Sequence, residues 1–186
     1  MLILLEIIAV VFTFLYLWYI AKQKPMGWLM GILASGVSVY FFYLKGYYGS
    51  CTLNIIYIFQ GFYGYFYWQK IANNQMAAYH FKIWQHFIFL IFASFLYFSF
   101  LQIATFFNVK EFKNIDIALA SFSIVATYIE TKKDTSCWWY WIILNMGYSI
   151  YYLNENLYLY AALMLVLAGF AYWALRKWLA TKAINN

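Results

Sequence analysis

Residues 80–107 read HFKIWQHFIFLIFASFLYFSFLQIATFF. One lysine, Lys82, sits near the start, and neither an acidic residue nor a proline interrupts the rest of the run. About 20 predominantly apolar residues suffice to cross the hydrocarbon core of a bilayer as a helix, so this stretch predicts one long spanning helix. It decides the fold because three further hydrophobic segments precede it and three come after it. Two three-helix units joined directly would be inverted; one added crossing makes them parallel. The expected fold is an all-α polytopic membrane protein of seven transmembrane helices. Two parallel three-helix bundles (2–69 and 113–178) are joined by a linker helix (79–107) within a single transmembrane domain, 1–186.

The other candidate spans are 2–21, 27–44, 48–68, 114–130, 137–153 and 157–178. Polar breaks separate them: Lys22-Gln23-Lys24-Pro25, Lys45-Gly46, Gln69-Lys70 to Gln75, Lys110-Glu111-Phe112-Lys113, Lys132-Lys133-Asp134 and Asn154-Glu155-Asn156. The tail after Arg176-Lys177 is expected to be polar and frayed. All spans should be helical, because lipid cannot satisfy the backbone of an open strand. The residues are 67% hydrophobic and only 10% charged, against about a quarter charged in a soluble domain, which excludes a water-soluble globule. Met1-Leu2-Ile3 opens without the basic region of a cleavable secretory signal. Cys51 and Cys137 fit no metal or redox spacing and read as small apolar fillers.

The net charge of +6 reads as orienting lysines rather than a nucleic-acid surface. Odd-numbered loops and the C-terminus carry Lys22, Lys24, Lys70, Lys82, Lys132, Lys133, Arg176, Lys177 and Lys182, whereas the other face carries Lys45, Lys110 and Lys113. The positive-inside rule then puts the C-terminus in the cytoplasm and the N-terminus outside.

A shift of 110 residues aligns landmarks of the two halves: Glu6 with Asp116, Lys22/Lys24 with Lys132/Asp134, Trp28 with Trp138, and Tyr48 with Tyr158. Each copy then closes on Gly-x-x-x-Trp, Gly64 to Trp68 and Gly169 to Trp173, the second with about five residues lost. Parallel repeats about an axis along the membrane normal are the architecture of SWEET transporters, so transport is the expected class. A non-transporting membrane receptor or scaffold is the alternative.

Where the copies differ, a site is expected. Gly27, Gly31, Ser35 and Ser38 share one face of the second helix, and small residues let membrane helices approach closely. Their counterparts are Cys137, Trp141, Asn145 and Tyr148. Trp138, Trp141, Asn145, Tyr148 and Tyr152 fall on one helical face. In the third helix Asn54, Tyr57, Gly61, Gly64 and Trp68 repeat the spacing, with Gln60, Tyr63 and Tyr67 beside them. Amides inside a membrane need partners, since an unpaired one costs a few kcal/mol. That partner is either another helix or a ligand; the ligand reading makes Trp138, Trp141, Asn145 and Tyr148, with Asn54, Tyr57, Gln60 and Tyr63 of the third helix, the candidate substrate-binding set. Glu6 and Asp116 read as structural groups near outer helix ends, and His80 and His86 as solvated or packed, not as a metal pair. No Walker A loop, H-E-x-x-H or G-x-S-x-G occurs, so no enzyme activity, cofactor or metal is expected. Few acidic residues inside the spans speak against ion coupling.

These residues also carry a resemblance. Trp138-x-x-Trp141-Ile-Ile-x-Asn145, Tyr158 and Gly169-x-x-x-Trp173 resemble the C-terminal half of PnuC-type vitamin transporters. Glu6, the segment around Gly31, Tyr48, and Phe62-Tyr63-Gly64-Tyr65-Phe66-Tyr67-Trp68 resemble their N-terminal half. The resemblance covers residues 3–178 and implies facilitated diffusion of a small vitamin that is trapped inside by phosphorylation. It implies ligand contacts from Trp138, Trp141, Asn145 and polar residues of the third helix. Ser136-Cys137 stands where nicotinamide riboside members often carry Glu-Asn. An aromatic slot with few charges suits a flat heteroaromatic cation. Thiamine is the leading expectation, nicotinamide riboside the alternative, with riboflavin and deoxynucleosides behind. The partners expected are this small molecule and the lipid bilayer, with no nucleic acid and with homo-oligomerisation left open.

Overall fold

The structure, a computed structural model, describes residues 2–46, 48–74, 81–106, 114–156 and 158–184. Among them lie seven helices: α1 (Leu2–Ala21), α2 (Met26–Lys45), α3 (Tyr48–Asn74), α4 (Ile83–Phe106), α5 (Asn114–Thr131), α6 (Cys137–Asn154) and α7 (Tyr158–Ile184). Each expected span is found within a few residues of its predicted bounds, except that α3 and α7 run further. Lys70 and Arg176-Lys177 end the apolar run but not the helix. Ile71, Leu175 and Trp178 are buried beyond or beside those charges, so packing carries both helices onward, and the frayed tail expected after Lys177 is helical to Ile184. His80, Lys110, Glu111 and Lys113 lie outside the described residues.

Four helices are long and apolar enough to cross a membrane: α1, α2, α4, and Tyr160–Thr181 of α7. The other three fall short of that measure because they carry polar residues: Asn54 and Gln60 in α3, Asn145 and Ser149 in α6, and a polar series in α5. That series points inward. Ser121, Ser123, Thr127, Glu130 and Thr131 are all buried. The hydroxyls of Ser121, Ser123, Thr127 and Thr131 donate to the carbonyls four residues back, at 2.7–2.9 Å, which satisfies them inside their own helix.

The chain divides into two compact units, 1–77 and 78–186. In the first, α2 packs against both α1 and α3. Trp28, 2% exposed, is its keystone: it meets Trp68 edge-on at 5.6 Å and 89°, and Tyr16 at 6.0 Å. Glycines make room for this. A Cβ on Gly64 would lie 2.4 Å from the Trp28 ring, one on Gly31 2.9 Å from the Tyr16 ring, and one on Gly27 2.8 Å from Ile20. The close approach expected of Gly27 and Gly31 is thus made, against α1.

In the second unit α4 packs on α5, α5 on α6, and α6 on α7. Its keystone is Trp138, edge-on to Trp178 at 5.3 Å and 89°. The counterpart of Trp68 is therefore Trp178, not Trp173, whose ring is 40% exposed. The shift of 110 holds to the end of the chain with no deletion. The turn after the first helix repeats at the same shift: Gln23 N–H donates to Ile20 and Lys24 N–H to Tyr19, as Lys133 N–H does to Glu130 and Asp134 N–H to Ile129. Gln23 and Lys133 take the same left-handed conformation, φ 55° and 57°. Gly46 and Asn156 match likewise, φ 77° and 59°. Gly-x-x-x-Trp misled because both copies are rich in aromatics, so a shifted match is cheap; the ring partners decide the register.

Candidate functional site

The candidate residues fall into two groups, four on α3 in the first unit and four on α6 in the second. On α3, the Asn54 amide donates to the Ser50 carbonyl of its own helix at 2.9 Å. Tyr57 and Gln60 are half-buried. Tyr63 is 46% exposed, its ring tilted against Tyr67 at 5.9 Å.

On α6, Trp138 is 1% exposed and its indole N–H is buried without a hydrogen-bond acceptor, as is that of Trp28. The two tryptophans match in burial, ring partner and polar state, so Trp138 sits where the scaffold needs an aromatic in both copies. Trp141 and Tyr148 are half-buried and pack against Leu119, Ala126 and Leu144. Asn145, one turn beyond Trp141, is half-buried as well. Tyr148 stacks on Tyr152 at 6.1 Å.

Copy-specific chemistry begins at Trp141. In the first unit the equivalent position is Gly31, filled by Tyr16 from α1. In the second, Tyr16 is replaced by Ala126, which is fully buried, and the large ring has moved to α6. Cys137 and Trp141 stand where α2 has Gly27 and Gly31, and α5 accordingly contacts α6 less extensively than α1 contacts α2. The indole N–H of Trp141 donates to Glu130 Oε2 at 2.6 Å. Glu130, near the end of α5, is 1% exposed.

Sequence reasoning missed Glu130. It adjoins Lys132-Lys133-Asp134 and reads as part of a solvated loop. The usable signal was periodicity: Ser123, Thr127, Glu130 and Thr131 recur at helical spacing, which marks a polar stripe turned inward. Asp134 is also buried, with both oxygens engaged: Oδ2 accepts from the Phe81 N–H at 2.6 Å and Oδ1 from the Ser136 N–H at 2.7 Å. It fastens the approach to α4 onto the α5–α6 turn. Burial lowers the pKa of Lys133 in that turn. Asp116, expected to be structural, accepts from Tyr151 Oη at 2.7 Å. His86 Nδ1 lies 3.0 Å from Tyr140 Oη, a packed role.

A half-buried indole held by a carboxylate, with an amide and a phenol on the following turns, can stack a flat ring and read its polar edge. Among the described residues, no group of three or more metal-ligating side chains assembles. A profile of the nicotinamide mononucleotide transporter family matches residues 3–180. This chain belongs to that family. Within the nicotinamide mononucleotide transporter family, the PnuC fold gives the structural likeness: a crystal structure described as the vitamin B3 transporter PnuC aligns with a TM-score of 0.74. The alignment covers 95% of this chain and 82% of that one at 19% identity, a likeness of fold. A search of curated proteins gives no match. Family membership and several apolar helices make the chain a multi-pass membrane protein of a transporter family.

Proposed function

We propose that this chain carries nicotinamide riboside across the membrane by facilitated diffusion. The observation that carries the reading is the α6 face, where Trp141 is fixed by Glu130 and followed by Asn145 and Tyr148. A pyridinium ring on that indole gains both stacking and cation–π attraction, and Asn145 can pair with the carboxamide. The family is described by nicotinamide mononucleotide, and the aligned crystal structure is of a vitamin B3 transporter. Of the nucleotide and the nucleoside, the nucleoside suits the α6 face better, because none of Trp138, Trp141, Asn145 and Tyr148 is basic and able to pair with the charge of a phosphate.

Thiamine, the leading expectation from sequence, finds no support in these comparisons, and nicotinamide riboside takes its place. The reading keeps seven crossings arranged as three plus one plus three, a cytoplasmic C-terminus in a bacterial inner membrane, and trapping of substrate by phosphorylation. It assigns ligand contact to Trp141, Asn145 and Tyr148 and support to Trp138, and keeps Asn54, Tyr57, Gln60 and Tyr63 as a separate candidate face of the first unit. The test is thermal unfolding of the purified chain with a vitamin panel, since a ligand of the native state stabilises it by RT ln(1 + [L]/Kd). Nicotinamide riboside should give the largest shift. A larger shift with thiamine or riboflavin would overturn the substrate, and no shift with any member would overturn the site.

A further inference from the structure

The geometry points to Glu130 as the residue that selects a positively charged ring: its buried carboxylate holds the indole N–H of Trp141 and places one negative charge at the edge of that ring. The inference rests on the α6 face being the substrate site, and it adds the charge class of the ligand and the residue that sets it.

The repeat supplies an internal control. Glu130 stands where the first unit has Ile20, which is fully buried and packs against Gly27 in the same corner. The adjoining turn has the same hydrogen bonds and the same left-handed residue in both copies. The corner therefore forms with an isoleucine, and the fold does not require a carboxylate. Three things make one costly there. Burial disfavours an ionised group unless it is paired. The last turn of a helix is the wrong end of the macrodipole for a negative charge. Asp134, also acidic and buried, lies four residues on.

What accompanies the carboxylate is Trp141. Ile20 and Gly31 in one copy become Glu130 and Trp141 in the other, and the pair is joined at 2.6 Å, short enough for a charge-assisted bond. That bond fixes the indole plane. It also enriches the ring that a ligand would meet, and a cation over such a face gains where a neutral ring of equal shape does not. Asp134 does not hold that indole: its two oxygens accept from the backbone N–H groups of Phe81 and Ser136, and the acceptor for Trp141 is Glu130. Glu130 is thus a positioning and selectivity residue acting through Trp141.

The experiment compares two ligands of the same outline, nicotinamide riboside, whose ring is cationic, and its dihydro form, whose ring is neutral. Calorimetric affinities are measured on the purified full chain for the wild type, Glu130→Gln and Glu130→Ile. The wild type should prefer the cation at least tenfold, about 1.4 kcal/mol. Glu130→Gln keeps an acceptor for the indole but removes the charge, so the preference should fall to within about threefold, as cation–π attraction alone remains, while affinity for the neutral form persists. Glu130→Ile, the residue of the first copy, should weaken both ligands. A Glu130→Gln variant that retains the wild-type preference would overturn the inference, as would a wild type that binds both forms equally. A wild type that binds neither would overturn the substrate reading and this inference with it.

Discussion

The aromatic exchanged between the two copies can be exchanged back. In the first unit the α1–α2 corner consists of Tyr16, Ile20 and Gly31; in the second it consists of Ala126, Glu130 and Trp141. Trp141→Gly alone places glycine inside a helix, at about 1 kcal/mol. It also strips the indole donor from a buried carboxylate, at about 1–3 kcal/mol, and removes a half-buried ring. The sum is about 3–5 kcal/mol, within the range for truncating a buried tryptophan. Adding Ala126→Tyr returns the ring from the other helix, and Glu130→Ile replaces the carboxylate by the residue of the first copy. The triple variant should recover at least about 2 kcal/mol, or roughly 4–8 °C for a chain of this size, because residues in contact couple by about 0.5–3 kcal/mol. Thermal unfolding in detergent gives the stability, and calorimetry the binding. The triple variant should be folded and have no affinity for nicotinamide riboside. A triple variant no more stable than Trp141→Gly would refute the swap, and one that still binds would remove Trp141 from the site.

Other parts of the structure give further expected outcomes. Gly64→Ala forces a methyl to within 2.4 Å of a Trp28 ring already wedged by Tyr16 and Trp68, so it should cost about 1–3 kcal/mol; Gly169→Ala, with nothing within 4 Å, should be neutral or mildly stabilising by the same melting assay. Asp134→Ala releases the Phe81 and Ser136 N–H groups, and hydrogen exchange should speed at residues 81–86, with a loss of about 1–3 kcal/mol; unchanged protection there would refute the tether. Uptake into vesicles should be equilibrative once the potential is clamped to zero, and otherwise follow it at about 2.3 kcal/mol per 100 mV for a cation; accumulation driven by a proton or sodium gradient alone would refute it. A fluorescent protein fused after Asn186 should light up in bacterial cells, and a dark fusion with an active phosphatase counterpart would reverse the orientation.

The helices were legible because lipid-length apolar runs recur between breaks of Lys, Gln and Asn; the ends of α3 and α7 were not, because packing at Ile71 and Trp178 carries those helices past the charges. The repeat was legible at Trp28 and Trp138, whose surroundings match, but its last landmark was misplaced: Trp173 and Trp178 both lie on α7, and only the ring partner of Trp138 tells them apart. The position of Trp141 as a copy-specific residue could be read from its pairing with Gly31. The residues that changed with it could not. Ala126 in place of Tyr16, and Glu130 in place of Ile20, are changes on the neighbouring helix, and their link to position 141 is a matter of packing across helices rather than of pattern along one. Glu130 hid beside two lysines because charge in a row of charges looks solvated, whereas a helix end can turn one member of that row inward.

The packing scheme also sets an order of assembly. In both units each helix rests on its neighbour in the chain, so most contacts span short stretches of sequence, a property associated with fast folding. Trp28 emerges from the ribosome with Tyr16 already made, and Trp68 arrives with α3. A nascent chain that has reached Asn74 therefore holds both ring partners of Trp28, before any residue of α4 has been synthesised.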